Sequence, residues 1–342
     1  MRLRPTFAFL CAALVAAPLP ALAWGAQGHQ MINGAAMATL PDSLPPFLRT
    51  RAAHDEVELL GPEPDRLKGD QPFDADESPG HYVDVSDDDT IDGIPLAALP
   101  RDRRAYDTAL RAATPPSDQY GMGFLPYSIA DGYERVLRDL AYWRVDTVGM
   151  TKAPTQAERD FFAYDRSVRE QVTLRDIGVW GHFVGDASQP LHVTVHFNGW
   201  NSPRTHYPNP KDYSDSNTVH ARWETDLVRA VATEPLVRAR VAPVQTPATP
   251  ILAQVGAYLT ASASFVPAVY ELEAAGGIDG RSPAATSLVL DRLAAGASEL
   301  RDLIVEAWVN SANEKIGYPG ISVHDVEAGT VVPTRASVGL GD

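Results

Sequence analysis

Two residue pairs repeat one spacing in the middle of the chain: His182 and Asp186 within HFVGDASQPLH, and His220 and Glu224 within TVHARWE. Residues four apart on a helix project from one face. Each pair therefore sets an imidazole beside a carboxylate, and His192 follows shortly after the first pair. Both groups are good zinc ligands, and pairs on helices that pack together can surround an ion. One such pair alone reads as a surface hydrogen bond; two pairs with His192 point towards a metal.

The start of the chain offers a further donor. Residues 1–23 read as a secretory signal peptide, with Arg2 and Arg4 as the basic region, an apolar run FAFLCAALVAA, and cleavage after Ala21-Leu22-Ala23. The mature chain is then expected to begin at Trp24, in a secreted or periplasmic protein. Its free α-amino group would have a pKa of about 7.7–8.0, so little is needed to deprotonate it for a metal. With the Trp24 carbonyl it could chelate an ion near His29, five residues on. The whole chain has 342 residues, 29 basic and 44 acidic side chains, a net charge of −15 and one cysteine. Loss of residues 1–23 removes Cys11 and both leader arginines, so disulfide staples are excluded. The acidic balance also argues against broad electrostatic capture of polyanions.

The elements that must position these donors read as helices. Apolar spacing predicts helices over Ala26–Leu40 and Leu125–Trp143. Thr155 with Glu158 forms a capping box for a helix ending near Ser188, before Pro190. Asn217 is expected to cap a helix from Thr218 to Val231, with further helices over Ile251–Leu272 and Ala284–Ala312. Residues 61–101, rich in Pro, Asp and Gly, read as a long irregular loop, and 197–216 as a second loop. Gln254, Gly256 and Pro267 make the apolar run from Ile251 a core helix rather than a membrane span. The expectation is one compact all-α, multi-helix domain over 24–320, followed by a tail of strand or coil over 321–342.

WGAQGH at Trp24 and His29, GHYVDV at His81, HFVGDASQPLH and TVHARWE, in this order over residues 24–230, resemble the phospholipase C/P1 nuclease superfamily, whose members are helical enzymes with three clustered zinc ions. The resemblance implies three ligand sets. Asp65, His81, His182 and Asp186 would hold the first zinc, and His192, His220 and Glu224 the second. The Trp24 amino and carbonyl groups, His29 and Asp186 would hold the third. Asp70 and Asp74 lie in the same loop as Asp65 and are alternatives to it. Glu224 stands where S1/P1 nucleases usually carry aspartate and the phospholipase C branch carries glutamate.

Three divalent ions would reverse the field of an acidic cleft locally, and the chemistry implied is phosphodiester hydrolysis by zinc-activated water. Asp65 and Asp186 are the expected catalytic carboxylates. Single-stranded DNA or RNA, cut to leave 5′-phosphates, is the favoured substrate. Phe197, Trp200, Tyr207 and Tyr213, interleaved with Arg204 and Lys211, would stack and hold it; packing over the metals is the plain alternative for that loop. A phospholipid headgroup is the competing substrate, with the same loop forming a pocket for its quaternary amine. A metal-stabilised binding protein is the third reading. A monomer without an obligate protein partner is expected. No GxSxG, Walker A, HExxH or Rossmann fingerprint occurs.

Overall fold

The architecture comes from a computed structural model, which describes residues 24–69, 72–201, 208–209 and 211–340. The expected leader, together with Asp70, Arg204 and Tyr207, lies outside the described residues. The chain is mostly helical. Among the described residues the only strands are two antiparallel pairs of two residues each, Thr90–Ile91 with Ile94–Pro95 and Lys315–Ile316 with Ile321–Ser322.

The longer helices are α1 (Gly25–Ala38), α2 (Arg51–Leu60), α3 (Arg103–Arg111), α4 (Leu125–Lys152) and α5 (Gln156–Ser188). After a loop come α6 (Val219–Ala221), a π-helical turn (Arg222–Leu227) and α7 (Val228–Val231). Helices α8 (Ile251–Ala263), α9 (Val266–Ala274) and α10 (Pro283–Ser311) complete the set. Helices α4 and α5 form the most extensive pair. Pro154 forces Ala153 out of helical geometry (ψ 146°) and ends α4 there. Thr155 then caps α5, its Oγ1 accepting from the Glu158 backbone N–H at 3.2 Å. The Trp180 indole of α5 donates to the Ile129 carbonyl of α4 at 2.8 Å, locking the pair together.

A large core joins α1, α4, α5 and α10 through Ile32, Leu140, Ile177, Leu293 and Leu300. A second, smaller core sets Ile316, Val323, Val326 and Val338 against Ala141, Val145 and Phe162, so the segment expected as a tail of strand or coil instead carries a short helix, Val323–Glu327, held by burial of Val323 and Val326. The run Ile251–Ala274 is long and apolar enough to cross a membrane by composition alone. It breaks between Ala263 and Val266 into α8 and α9, whose Val255, Leu259 and Val269 are buried in the large core.

Several local expectations are corrected. The stretch 61–101 contains short helices, Glu63–Arg66 and Phe73–Glu77, and the first strand pair. Helix α4 runs nine residues past Trp143, because Val145 and Gly149 stay buried against neighbouring elements. Asn217 does not cap the helix bearing His220; the N-cap position is Thr218, and no side chain caps it.

Candidate metal centre

Six elements bring the donors together. Helix α1 supplies His29, the short helix Glu63–Arg66 supplies Asp65, and a 3-10 turn, Ser78–His81, supplies His81. The last two turns of α5 supply His182 and Asp186. A second 3-10 turn, Pro190–His192, supplies His192, and the run from α6 into the π turn supplies His220 and Glu224. The close approach of α1 to α5 depends on Gly185. A Cβ there would lie 3.1 Å from both His29 Nδ1 and Ile32 Cδ1. Trp24 is fully buried, and its indole nitrogen lies 2.9 Å from both the Gly185 carbonyl and Ser188 Oγ. The first residue of the expected mature chain is thereby anchored on either side of Asp186.

Asp186 is the hub. Its Oδ2 lies 3.2 Å from His81 Nδ1 and 3.3 Å from His182 Nε2. Its Oδ1 lies 3.5 Å from His29 Nε2 and 3.6 Å from His192 Nδ1. His182 Nε2 and His81 Nδ1 are 2.9 Å apart, and Asp65 Oδ1 lies 3.6 Å from the former. His29 stacks on His182 at 3.7 Å between ring centroids. On the other side of Asp186, Glu224 Oε2 lies 2.9 Å from His220 Nε2 and 3.5 Å from His192 Nε2.

Backbone carbonyls orient three of the rings. His182 Nδ1 faces the Gly61 carbonyl at 2.8 Å, His192 Nδ1 the His81 carbonyl at 2.7 Å, and His220 Nδ1 the Phe197 carbonyl at 2.9 Å. A carbonyl only accepts, so each Nδ1 carries a proton and each Nε2 turns a lone pair inward. A hydrogen bond behind the ring of this kind is the usual support of a metal-binding histidine.

Burial sets the charges. It pushes His29, His81, His182 and His192 below the ordinary imidazole value, so these rings stay neutral at neutral pH. Burial, with Asp65 as an acidic neighbour, pushes Asp186 well above the usual carboxylate range. At Glu224 burial works the same way, but His220 and His192 outweigh it and hold the carboxyl down at about 2. Lys68 places its ammonium 2.6 Å from Asp65 Oδ1.

Six buried atoms of this cluster have neither a hydrogen bond nor a cationic side chain as partner: both ring nitrogens of His29, Asp65 Oδ2, Asp186 Oδ1, His192 Nε2 and Glu224 Oε1. Buried polar atoms are nearly always satisfied, and here the exceptions converge. Apart from the one N–H that neutral His29 carries, these atoms offer nitrogen or oxygen lone pairs, which is the chemistry a divalent cation requires. Three buried or nearly buried groups could each hold an ion: His29–His182–Asp186, Asp65–His81–His182, and His192–His220–Glu224.

Of the acidic residues expected in the first loop, Asp65 joins His81 and His182, whereas Asp74 lies on the helix Phe73–Glu77 outside these groups. The aromatic loop is drawn inward. Trp200 stacks on His196 at 3.9 Å and meets Tyr213 at 4.5 Å, and both Trp200 and Tyr213 are buried. Phe197 is half-buried, and Lys211 pairs with Glu271 on α9. His196, which has no expected role, is buried with Nε2 at 3.0 Å from Asp87. His54 lies near Asp55 and Glu58 in a more exposed group on α2.

Three residues beside the donors escaped the spacing argument. Gln189 is fully buried against His220 and Glu224, Lys68 approaches Asp65, and half-buried Phe183 sets its ring 5.1 Å from His81. Gln189 and Phe183 both stand within HFVGDASQPLH, where attention to the histidines and aspartate hides them. No protein-family model matches the chain, and no curated protein matches it.

Proposed function

We propose that this protein is a secreted, zinc-dependent phosphodiester hydrolase of the S1/P1 nuclease type. In this reading it binds three zinc ions and cuts single-stranded DNA or RNA to 5′-phosphate products. The observation that carries the reading is the convergence of His29, Asp65, His81, His182, Asp186, His192, His220 and Glu224 on one buried volume, with six atoms left without a partner. Zinc bound by these residues would supply positive charge for a phosphate and make water acidic enough to attack at neutral pH. The Trp24 amino group, exposed by cleavage before it, would complete the set around His29 and Asp186.

The chain's own residues have distinct tasks in this scheme. Asp65, paired with Lys68, would orient the attacking water as well as hold zinc. The buried imidazoles remain neutral and keep their lone pairs inward. Phe183, half-buried against His81 and His182, offers an apolar face on which a base can stack. The inward packing of Trp200 and Tyr213 makes them supports of the loop, not free stacking surfaces.

One observation favours a phospholipid headgroup as the second reading. A cavity of about 260 Å³ beside Trp200 is lined by Asp87, Asp89, Thr194 and Val266, a mixture of acidic and apolar groups suited to an alkylammonium. A paired assay of the mature zinc-loaded protein on denatured DNA, RNA and phosphatidylcholine separates the two. Release of nucleotides with 5′-phosphates is expected. Cleavage of lipid alone would reverse the order, and cleavage of neither would overturn the hydrolase reading.

A further inference from the structure

The residue between Ser188, the last of α5, and Pro190 carries no titratable group, yet it touches two of the donors directly. Gln189 is fully buried. Its Oε1 accepts from the Leu191 backbone N–H at 2.6 Å. Since that N–H can only donate, this end of the amide is the oxygen, and the NH2 end must face the other way. There it lies 3.1 Å from His220 Nε2 and 3.1 Å from Glu224 Oε2.

These two atoms form an awkward pair without a shared partner. His220 Nδ1 donates to the Phe197 carbonyl and its Nε2 faces the Gln189 NH2, so in this arrangement Nε2 presents its lone pair with Glu224 Oε2 only 2.9 Å away. Two acceptors at that distance repel unless a donor or a cation binds both. The amide of Gln189 has two N–H groups and reaches both atoms, so it forms a closed triangle with them. Its own backbone is held by bonds from Gln189 N to the Asp186 carbonyl and from His192 N to the Gln189 carbonyl, both 3.0 Å. The amide is thus referenced to two further donor-bearing residues.

We propose that Gln189 is a positioning residue for the donor group His192–His220–Glu224, holding His220 and Glu224 convergent and directing which Glu224 oxygen meets the cation. This rests on the metal reading above. His220 Nε2 has a single lone pair, so a cation held here would displace the Gln189 N–H from that atom and leave the bond to Glu224 Oε2 in place. His220 Nε2, His192 Nε2 and Glu224 Oε1 would be the atoms available to hold it, and the last two are among those without hydrogen bonds. The longer side chain of Glu224, compared with aspartate, allows one oxygen to serve the amide while the other serves the metal. Gln189 therefore acts on one donor group and leaves the other two untouched.

The test is zinc binding by the full mature chain, measured by competition with a chromophoric chelator, in wild type, Gln189→Met and Gln189→Asn. Methionine preserves the shape and removes every hydrogen bond; asparagine keeps the amide but is too short to span the triangle. Loss of such outer partners typically weakens a metal site by about 10–100-fold. Both variants should show that loss in one zinc equivalent, with the remaining equivalents bound as in wild type, and asparagine should be the milder if it recovers one bond. Cobalt(II) substituted into that weakened site should give a shifted visible spectrum, which a purely structural role would not produce. Wild-type affinity for every equivalent, or a uniform loss across all of them, would overturn the proposal. Absence of zinc uptake by wild type would overturn the metal reading and this proposal together, so failure of the reading is distinguishable from failure of Gln189 alone.

Discussion

Two buried carboxylates on the paired helices α4 and α5 meet opposite fates. Asp186 lies near the end of α5 among four imidazoles, and Asp146 lies in the last third of α4. Asp146 is also fully buried, and neither of its oxygens makes a hydrogen bond. Arg169, which faces it electrostatically, stands 17 residues before Asp186 on α5, about 25 Å along a helix. Burial raises both acids, Asp146 to about 8. At Asp186 the surrounding atoms are lone-pair donors, so a cation can satisfy them all at once. Around Asp146 the charged neighbours are Asp165, Arg166 and Arg169, and the carboxyl is instead neutralised by holding its proton. A lone buried acid is thus no sign of a metal; convergence of donors is.

The contrast breaks most sharply at Asp186→Asn. In the zinc-loaded protein this should lower phosphodiester hydrolysis by at least about 100-fold and reduce the number of zinc equivalents bound. In chelated protein the same change should leave stability equal or higher, because the amide replaces a carboxyl that burial already keeps protonated. Hydrolysis assays and metal analysis check the first effect, and denaturant titration the second. Equal loss of stability in both states would make Asp186 a structural residue and dissolve the contrast.

Chelation comes next. Occupancy at a thousandfold excess over Kd stabilises by about 4 kcal/mol per site, so EDTA should lower the melting temperature by several degrees in wild type. In Asp186→Asn the shift should be much smaller. A wild-type melting temperature indifferent to EDTA would count against a metal at these groups.

How much of this was legible beforehand depends on how local the cause is. The pairs His182–Asp186 and His220–Glu224 follow from helical spacing, and the start of α5 from the capping box of Thr155 and Glu158. Those are effects within a few residues. Helix α2 went unread, although Ala53 and Val57 are buried at helical spacing within RAAHDEVELL. The break in Ile251–Leu272 is marked locally by Pro267 in the first turn of α9, but the apolar periodicity running through it masks that signal, and the π turn beneath Glu224 has no distinctive local signal. The inward turn of Trp200 depends on His196 and Tyr270, whose hydroxyl donates to the His196 carbonyl at 2.6 Å from 74 residues away. The choice of Asp65 over Asp74 likewise depends on where His81 and His182 lie, which spacing does not encode.

Asp146→Asn should have a smaller effect of the opposite kind. A carboxyl raised from about 3.8 to about 8 on folding keeps more protons in the folded than in the unfolded chain between those values. Wild-type stability therefore falls as pH rises from about 4 to about 8, by at most about 1.4 kcal/mol per pH unit from this group. The asparagine variant lacks that slope and should be the more stable protein at pH 8, without change in zinc uptake. Denaturant titrations across this range, taken as the difference from wild type, cancel the titration of the donor cluster. A difference independent of pH would show that Asp146 is not the protonated acid of this helix pair.

Asp139 gives the smallest effect and the finest grading. It lies two turns before Asp146 on α4, and Arg169 donates to its Oδ1 at 2.8 Å. Burial raises this carboxyl too, but the arginine offsets much of that, leaving it at about 6. The same linkage then runs over a narrower window: stability contributed by the protonated form is lost between about pH 4 and pH 6. Asp139→Asn keeps an oxygen for Arg169 and gives up the ion pair, which is partly exposed at the arginine, so its cost at pH 7 should stay within about 1 kcal/mol. It should remove slope below pH 6 and leave unchanged the slope between pH 6 and pH 8, to which Asp146 contributes alongside Glu299, raised by burial to about 7. If Asp139→Asn flattened the upper window instead, the two acids would be titrating as one coupled pair through Arg169. The proton on α4 would then be shared, and the distinction between a carboxyl with a partner and one without would fall with it.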